Sequence, residues 1–388
     1  MISSCAGRRS GHRFSPAVAF LCSLLVAAPT AARAAAIVAA DHPLAAEAGL
    51  EILQSGGSAV DAAIATALVV CVVHPSSCGI GGGGFMVIHD RARDRTIALD
   101  YRERAPSAVR ADLYQENGAY VPAKSRRGAL AVGVPGEVAG LAAAHARYGR
   151  LPWQRLFAPA IQLARDGFPV SRHLAGRLHD QAKGLAGDPE LRGIYLDREG
   201  RPWSEGEILR CPALARTLER IATGGPRAFY EGEIALAMVD AVRAGGGVLS
   251  MADLAAYRPL WRRPLEVGYR GARIHTMPPP SSGGPALVLA LRTLAPYDVA
   301  ALGLSSPTRF HLFAEILKHA FADRARASGD PAFDALLPPA KGLPLRGRIH
   351  APRTMPPETY GAFAPPPSDG GTSHLSVIAP DGSAVACT

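Results

Sequence analysis

Aromatic side chains and clustered positive charge are both scarce in this sequence. Aromatic residues make up 6% of the chain, and no Lys/Arg-rich stripe with interleaved aromatic residues occurs along it. The formal net charge is +9, but four of the contributing arginines lie within the first 34 residues: Arg8, Arg9, Arg13 and Arg33. A nucleic-acid-binding surface needs concentrated positive charge, so the sequence argues against a nucleic-acid partner.

A metal-binding cysteine pattern is also missing. Four cysteines follow the amino-terminal segment: Cys71, Cys78, Cys211 and Cys387. Their spacing matches no metal motif, so we predict no metal site. Cys71 and Cys78 are near enough in sequence to form a disulfide in an exported protein, and small buried thiols are the alternative.

After residue 34 no segment has the length and apolar character of a transmembrane helix. The preceding segment has a basic start, an apolar stretch at residues 17–28 that is too short to span a bilayer, and a small-x-small site at residues 32–34. We therefore predict that residues 1–34 are a signal peptide and that the protein is periplasmic or secreted, with no membrane contact beyond export. An uncleaved membrane anchor is the alternative.

The remaining chain has the composition and length of a globular α/β protein, with 48% hydrophobic and 19% charged residues. Periodicity and capping signals predict helices over residues 43–54, 59–73, 137–148, 153–166, 285–294 and 309–326. Short apolar or alternating runs predict strands over residues 35–40, 85–89, 96–101, 267–277, 374–378 and 384–387. The Pro-rich segment 331–367 is expected to be extended and mobile.

A glycine-rich loop, Gly-Ile-Gly-Gly-Gly-Gly, occupies residues 79–84. It lacks the Lys-Ser or Lys-Thr that follows a P-loop, and it leads into a strand, whereas a dinucleotide-binding loop opens a helix. We interpret it as a turn whose backbone packs closely against another element.

A charged cluster follows the strand predicted over residues 96–101. Arg102 stands there between Asp100 and Glu103, and a guanidinium in this place could hold a substrate carboxylate through two parallel hydrogen bonds. A surface ion pair with Asp100 or Glu103 is the alternative, and the sequence leaves both open.

Thr372 follows a Gly-Gly pair and precedes a strand-like run. If the Gly371–Thr372 bond is cut, Thr372 carries both a hydroxyl nucleophile and a free α-amine, which titrates at about pH 7.7–8.0 and can serve as its base. Ser373 and Ser376 are less suitable nucleophiles, because neither follows Gly-Gly. A turn that leads into an edge strand is the alternative.

Eleven short blocks occur in the order in which the γ-glutamyltransferase (glutathione hydrolase) family has them, and together they resemble that family from about residue 36 to residue 388. They are DAAIA (61–65), HP (74–75), GIGGGGFM (79–86), DYRE (100–103), GVPG (133–136), LPW (151–153), FAPAI (157–161), PPPSSGG (278–284), ADR (322–324), GDP (329–331) and GTSH (371–374).

The resemblance implies an N-terminal-nucleophile hydrolase with an α/β fold, a four-layer αββα sandwich built from both products of self-cleavage. It implies that Thr372 is the catalytic nucleophile and that Arg102 binds the α-carboxylate of the γ-glutamyl group. The implied reaction is γ-glutamyl transfer through a Thr372 ester to water, an amino acid or a dipeptide. Glutathione and other γ-glutamyl compounds are the implied donors, with no cofactor.

The resemblance also divides the chain into a large-subunit region, residues 35–371, and the start of a small subunit, residues 372–388. The family's small subunit is much longer, so most of it is expected to be missing here and the sandwich to be incomplete, with an apolar sheet face uncovered. An inactive remnant, the large subunit of a split enzyme, and a cephalosporin or polyglutamate acylase are the alternatives.

Overall fold

The computed structural model describes residues 35–327, 349, 353–360 and 371–388. The predicted signal peptide and most of the Pro-rich segment lie outside the described residues. The helices are α1 Pro43–Gln54, α2 Ala59–Val73, α3 Glu137–Tyr148, α4 Trp153–Asp166, α5 Arg172–Ala186, α6 Pro189–Tyr195, α7 Pro212–Gly224, α8 Arg227–Tyr230, α9 Gly232–Ala244, α10 Met251–Ala256, α11 Gly283–Leu294 and α12 Pro307–Ala327. The strands are β1 Ile37–Ala40, β2 Phe85–Asp90, β3 Arg95–Asp100, β4 Gln115–Glu116, β5 Ala119–Tyr120, β6 Phe168–Pro169, β7 Ile208–Leu209, β8 Leu260–Arg262, β9 Leu265–Tyr269, β10 Ala272–Thr276, β11 Leu375–Ile378 and β12 Ala384–Cys387.

An antiparallel sheet of six strands dominates the described residues, in the order β1-β11-β12-β2-β3-β8. The β11–β12 hairpin, predicted from residues 374–387, occupies the middle of this sheet. The interpretation of this region as an edge strand is therefore wrong, because β11 pairs with β1 on one side and with β12 on the other.

Helix α2 forms the centre of the core. All its residues are buried, and it packs against α1, α4 and the β11–β12 hairpin. Its predicted boundaries are confirmed, as are those of α1, α3 and α4. A helix that is apolar on every face must be covered on every side, and α2 meets that requirement by lying between the sheet and the other helices.

The Asp61 carboxylate ties this helix to a distant turn. Ser58 and Asp61 form a capping box, in which Ser58 N donates to Asp61 Oδ2 at 2.9 Å. The same oxygen accepts hydrogen bonds from Arg150 N at 2.8 Å and Leu151 N at 3.1 Å. Asp61 has no exposed surface and Ser58 is buried, so water cannot replace the carboxylate at the Ser58 amide.

The two faces of the sheet differ in burial. One face contacts α2 and carries buried apolar side chains from four central strands: Met86, Ile88, Ile97, Leu99, Leu375, Val377, Val385 and Cys387. The opposite face is more open, and three of its apolar side chains are exposed: Ile37 at 51%, Leu260 at 41% and Ile378 at 43%. The uncovered apolar face expected from a missing small subunit stays a prediction.

Two sequence predictions need correction. The strand predicted over residues 267–277 is a hairpin, because Arg270 at φ 50° and Gly271 at φ 82° reverse the chain between β9 and β10. Within the segment expected to be mobile, residues 353–360 pack against α12. Tyr360 is buried there, and its hydroxyl donates to Glu315.

The described helices include none that is both long enough and apolar enough to cross a membrane.

We predict that Asp61→Ala lowers the free energy of unfolding by about 3 kcal/mol or more, because it removes the acceptor of three backbone amides, of which Ser58 N is buried. Asp188→Ala is the control, since the Asp188 side chain caps α6 by accepting from Glu190 N and Leu191 N at the start of its own helix. Its loss should cost only about 1 kcal/mol. Urea unfolding of both variants measures the difference, and equal losses would contradict the tethering role of Asp61.

Candidate functional site

A cleft of about 1180 Å³ opens where four segments meet. The segments are the glycine-rich loop 79–84, the chain after β3, the loop 278–283 before α11, and residues 371–374 before β11. Thr372 and Arg102, far apart in sequence, both line it. The sheet brings them together, because β11 and β3 belong to the same sheet with β12 and β2 between them.

Thr372 lies at the mouth of this cleft, three residues before β11, and is exposed. Among the described residues its hydroxyl has no hydrogen-bond partner, so it is free to approach a carbonyl carbon. Gly371 has φ of 97°, in the left-handed region that favours glycine. A Cβ at Gly371 would lie 3.7 Å from Ser77 Cβ, so the backbone conformation, not crowding, calls for glycine there.

Arg102 follows β3, and its backbone is held on both sides. Its amide donates to Asp100 Oδ1 at 3.1 Å, and its carbonyl accepts from Tyr257 Oη at 2.9 Å. The guanidinium lies 5.8 Å from the centre of the Phe85 ring. No carboxylate of the described residues pairs with it, because Asp100 pairs with Arg262 at 2.8 Å instead. The structure therefore contradicts the alternative in which Arg102 forms an ion pair with Asp100 or Glu103.

The glycine-rich loop forms one wall of the cleft by close backbone packing, as interpreted from the sequence. A Cβ at Gly83 would lie 2.4 Å from the Tyr101 carbonyl oxygen. The Gly82 carbonyl accepts from Gly136 N at 2.8 Å and Glu137 N at 3.0 Å, which joins the loop to the start of α3. These contacts with Tyr101 and with the start of α3 fix the backbone of the loop.

Glu137 is a buried carboxyl group on the cleft wall, and its side chain is in the first turn of α3. Burial, with a smaller contribution from Glu103, raises the pKa of Glu137 to about 8. The helix dipole acts in the opposite direction, because it favours a carboxylate at a helix start. The sequence pattern places Glu137 only in a helix, since nothing local reveals that its carboxyl group lies near Glu103.

A hydroxyl–imidazole cluster of His74, Ser77 and Ser373 stands beside Thr372. Ser77 Oγ lies 2.7 Å from Ser373 Oγ and 2.9 Å from His74 Nδ1, and His74 Nδ1 lies 3.2 Å from Ser373 Oγ. No sequence pattern assigned a role to Ser77, and His74 appeared only within the block at residues 74–75. Their position next to the glycine-rich loop was the one available signal.

The residue after this cluster, His374, anchors the start of β11. Its amide donates to Asp41 Oδ2 at 3.1 Å, its Nδ1 lies 2.6 Å from Thr388 Oγ1, and its Nε2 lies 3.2 Å from Ser376 Oγ. Both serines considered as alternative nucleophiles are therefore engaged, Ser376 with His374 and Ser373 with the hydroxyl–imidazole cluster.

The cysteines of the described chain are free, so Cys71 and Cys78 form no disulfide. Cys71 and Cys387 are buried, and Cys387 Sγ lies 2.9 Å from Tyr101 Oη. A hydrogen bond with Cys78, together with burial, raises the pKa of the Cys71 thiol above its ordinary value, and burial raises the pKa of the Cys387 thiol. Both thiols are protonated at neutral pH. Cys71 agrees with the interpretation as a small buried thiol, whereas Cys78 is only half-buried.

Comparison with known proteins identifies the family. A family model described as Gamma-glutamyltranspeptidase matches residues 45–388. Glutathione hydrolase 2 of Arabidopsis thaliana is 39% identical over 359 residues, which are 90% of this chain and 61% of that protein. Acylase ACY 1 proenzyme of Pseudomonas sp. (strain V22) is 42% identical over 305 residues, 76% of this chain and 54% of that protein.

A solved structure, Helicobacter pylori gamma-glutamyltranspeptidase, superposes with a TM-score of 0.79 at 35% identity, over 83% of this chain and 93% of that chain. The fold is thus that of the N-terminal-nucleophile αββα sandwich, to which the described residues contribute helices and a six-stranded sheet. The chain spans about three fifths of the length of the curated relatives it matches. On this evidence the chain belongs to the gamma-glutamyltranspeptidase family.

Proposed function

We propose that this chain is a γ-glutamyltransferase (glutathione hydrolase) precursor that cleaves itself before Thr372 and then transfers γ-glutamyl groups. The observation that carries the proposal is the single cleft that has Thr372 on one wall and Arg102 on another. The family's expected nucleophile and expected carboxylate-binding residue thus face one space that is large enough for a tripeptide.

Self-cleavage begins with attack of Thr372 Oγ1 on the Gly371 carbonyl carbon. A C–O bond forms, the Gly371–Thr372 C–N bond breaks, and the released amine takes up the hydroxyl proton. Water then hydrolyses the ester, which leaves a Gly371 carboxylate and restores the Thr372 hydroxyl. The exposed position of Thr372 and the unusual backbone at Gly371 support this step.

The new α-amine then serves as the base for the second reaction. It removes the hydroxyl proton as Thr372 attacks the γ-carbonyl of the donor, and the departing amine receives that proton. The γ-glutamyl ester is released to water, or to the amine of an amino acid or dipeptide. Glutathione and other γ-glutamyl compounds are the proposed donors.

Arg102 is proposed to bind the donor's α-carboxylate. Hydrogen bonds hold the Arg102 backbone in place, and its guanidinium has no carboxylate partner among the described residues. The guanidinium can therefore offer two parallel N–H groups to a ligand. A positive group placed at one end of the cleft would orient the γ-carbonyl toward Thr372.

We also propose that residues 1–34 direct export to the periplasm or outside the cell. Residues 35–371 are proposed as the large-subunit region and residues 372–388 as the start of the small subunit. Turnover then requires the rest of a small subunit, joined to this chain or supplied by another, because the matched relatives are considerably longer.

A second candidate is an acylase of related substrate class, which the 42% identity to an acylase proenzyme favours. Both candidates share self-cleavage and the Thr372 ester and differ in donor. Rates with a γ-glutamyl anilide and with a glutaryl amide, which keeps the terminal carboxylate but lacks the α-amine, would separate them.

Thr372→Ala should abolish the cut between residues 371 and 372, because alanine has no hydroxyl to attack the Gly371 carbonyl. Intact mass and amino-terminal sequencing give the measurement. Thr217→Ala is the matched control, since Thr217 is an exposed threonine on α7 whose hydroxyl only donates to Ala213 O. A new amino terminus at position 372 in the alanine variant would contradict the mechanism.

In protein that carries a complete small subunit, Arg102→Lys should raise KM for a γ-glutamyl donor by roughly 30-fold, since a lysine loses one charge-assisted hydrogen bond worth about 2 kcal/mol. Arg104→Lys is the control, because Arg104 lies 5.5 Å from the Tyr257 ring centre and outside the cleft. An unchanged KM in Arg102→Lys would remove Arg102 from the donor site.

The buried Glu137 makes stability fall as pH rises. Its pKa is about 8 in the folded chain against an ordinary 4.5, so between these values the folded state holds a proton that the unfolded state has released. Glu137→Gln should therefore raise the free energy of unfolding by a few kcal/mol at pH 8 and by about 0 at pH 4.

Urea unfolding at the two pH values tests this expectation. Glu233→Gln is the matched control, because Glu233 also stands in the first turn of a helix but its side chain is 81% exposed. A Glu137→Gln effect that is the same at both pH values would show that folding does not raise the pKa of Glu137.

A further inference from the structure

The hydroxyl–imidazole cluster joins two parts of the chain that are remote in sequence. His74 and Ser77 lie directly after α2, while Ser373 lies directly after Thr372. The three polar atoms form a closed triangle with sides of 2.7, 2.9 and 3.2 Å. Each of these side chains is half-buried, so water is partly excluded from the contacts.

His74 and Ser77 are both held in place by contacts with α2 and its following turn. His74 is the C-cap of α2, and its amide donates to Val70 O at 2.8 Å. Its ring meets the His173 ring edge-on, with 4.6 Å between centroids. Ser77 is held in the following turn, where its amide donates to His74 O at 3.1 Å. A fully buried helix therefore fixes the side chains that contact Ser373.

We propose that His74 and Ser77 are positioning residues for self-cleavage, and that they act by holding Ser373 so that Thr372 faces the Gly371 carbonyl. The inference rests on the proposed function. Neither residue touches the reacting atoms, and their effect on the reaction passes through the backbone of residue 373.

A second anchor holds the same segment, just after the bond that is cleaved. The His374 amide donates to Asp41 Oδ2, so residues 373 and 374 are both tied to fixed elements. Gly371, on the other side of the bond, has the left-handed φ described above. Thr372 thus lies between Gly371, whose backbone is left-handed, and residues 373 and 374, which hydrogen bonds anchor. These flanking residues limit the directions that the Thr372 hydroxyl can take.

The proton positions in the triangle are mutually consistent when His74 is neutral. Ser373 Oγ–H donates to Ser77 Oγ, and Ser77 Oγ–H donates to His74 Nδ1. Burial, followed by the nearby His173, lowers the pKa of His74, while Asp41 raises it and His42 lowers it slightly. His74 therefore stays neutral at pH 7, and protonating it below its ordinary value of 6.5 removes the acceptor at Nδ1.

The first experiment measures how fast the full chain forms an amino terminus at residue 372. His74→Ala, Ser77→Ala and Ser373→Ala should each slow it by about 10- to 100-fold, since small misplacement of reacting groups has effects of that size. Ser77→Thr and His74→Asn, which keep a hydroxyl and an acceptor, should recover most of the rate. Two matched controls should match the parent: His89→Ala, which removes a ring bonded to Thr96 in the β2–β3 pair, and Ser383→Ala in the β11–β12 turn.

A double variant distinguishes loss of positioning from general destabilisation of the fold. His74→Ala combined with Ser77→Ala should be no slower than either alone, because both break one chain of contacts. Thermal midpoints report any loss of folding. Multiplicative slowing, or failure of the conservative variants to recover the rate, would overturn the inference.

The second experiment does not need cleavage. In a Thr372→Ala background, amide hydrogen exchange of residues 373–375 should become severalfold faster on adding His74→Ala or Ser77→Ala and stay unchanged on adding His89→Ala. Unchanged exchange in all variants would overturn the inference. Cleavage of Thr372→Ala itself at the parent rate would refute the proposed function instead, and the exchange result would still decide whether the segment is held.

Discussion

The pairing of the β11–β12 hairpin with β1 and β2 is the constraint on which the site depends. These contacts place a segment from residue 371 onward against elements formed by the first hundred residues. Without them the sheet would be divided into β1 and the β2-β3-β8 group, and Thr372 would have no fixed relation to Arg102. Apolar burial of Leu375, Val377 and Val385 against α2 makes this pairing stable and sets its register.

The same pairing explains why the cleft contains groups of opposite character. Apolar side chains on one face of the hairpin enter the core, so the chain just before it must emerge at the sheet's end, beside the glycine-rich loop. There the Ser373 hydroxyl contacts Ser77, and the His374 backbone amide donates to Asp41. Packing and hydrogen bonding thus act on successive residues of a single short segment.

Local signals predicted the helices that begin and end with clear caps. Ser58 and Asp61 mark the start of α2, and Gly167 marks the end of α4, so their bounds agree with the structure. The β9–β10 hairpin was missed because its turn has a single glycine, Gly271, with Arg270 in an uncommon left-handed conformation. Thr372 and Arg102 were predicted from motif chemistry and family resemblance, and both line one cleft. His74, Ser77 and Glu137 owe their surroundings to tertiary contacts that no local pattern records.

The central position of the hairpin also bears on the order in which the fold is assembled. During synthesis β1, β2 and β3 leave the ribosome long before their middle neighbours, so two strands wait with unpaired backbone edges in a chain of high contact order. Such edges can pair with other chains, and a chaperone would shield them. Because the β11–β12 hairpin follows Thr372 in the chain, the proposed cleavage at this residue would occur only once that hairpin has paired.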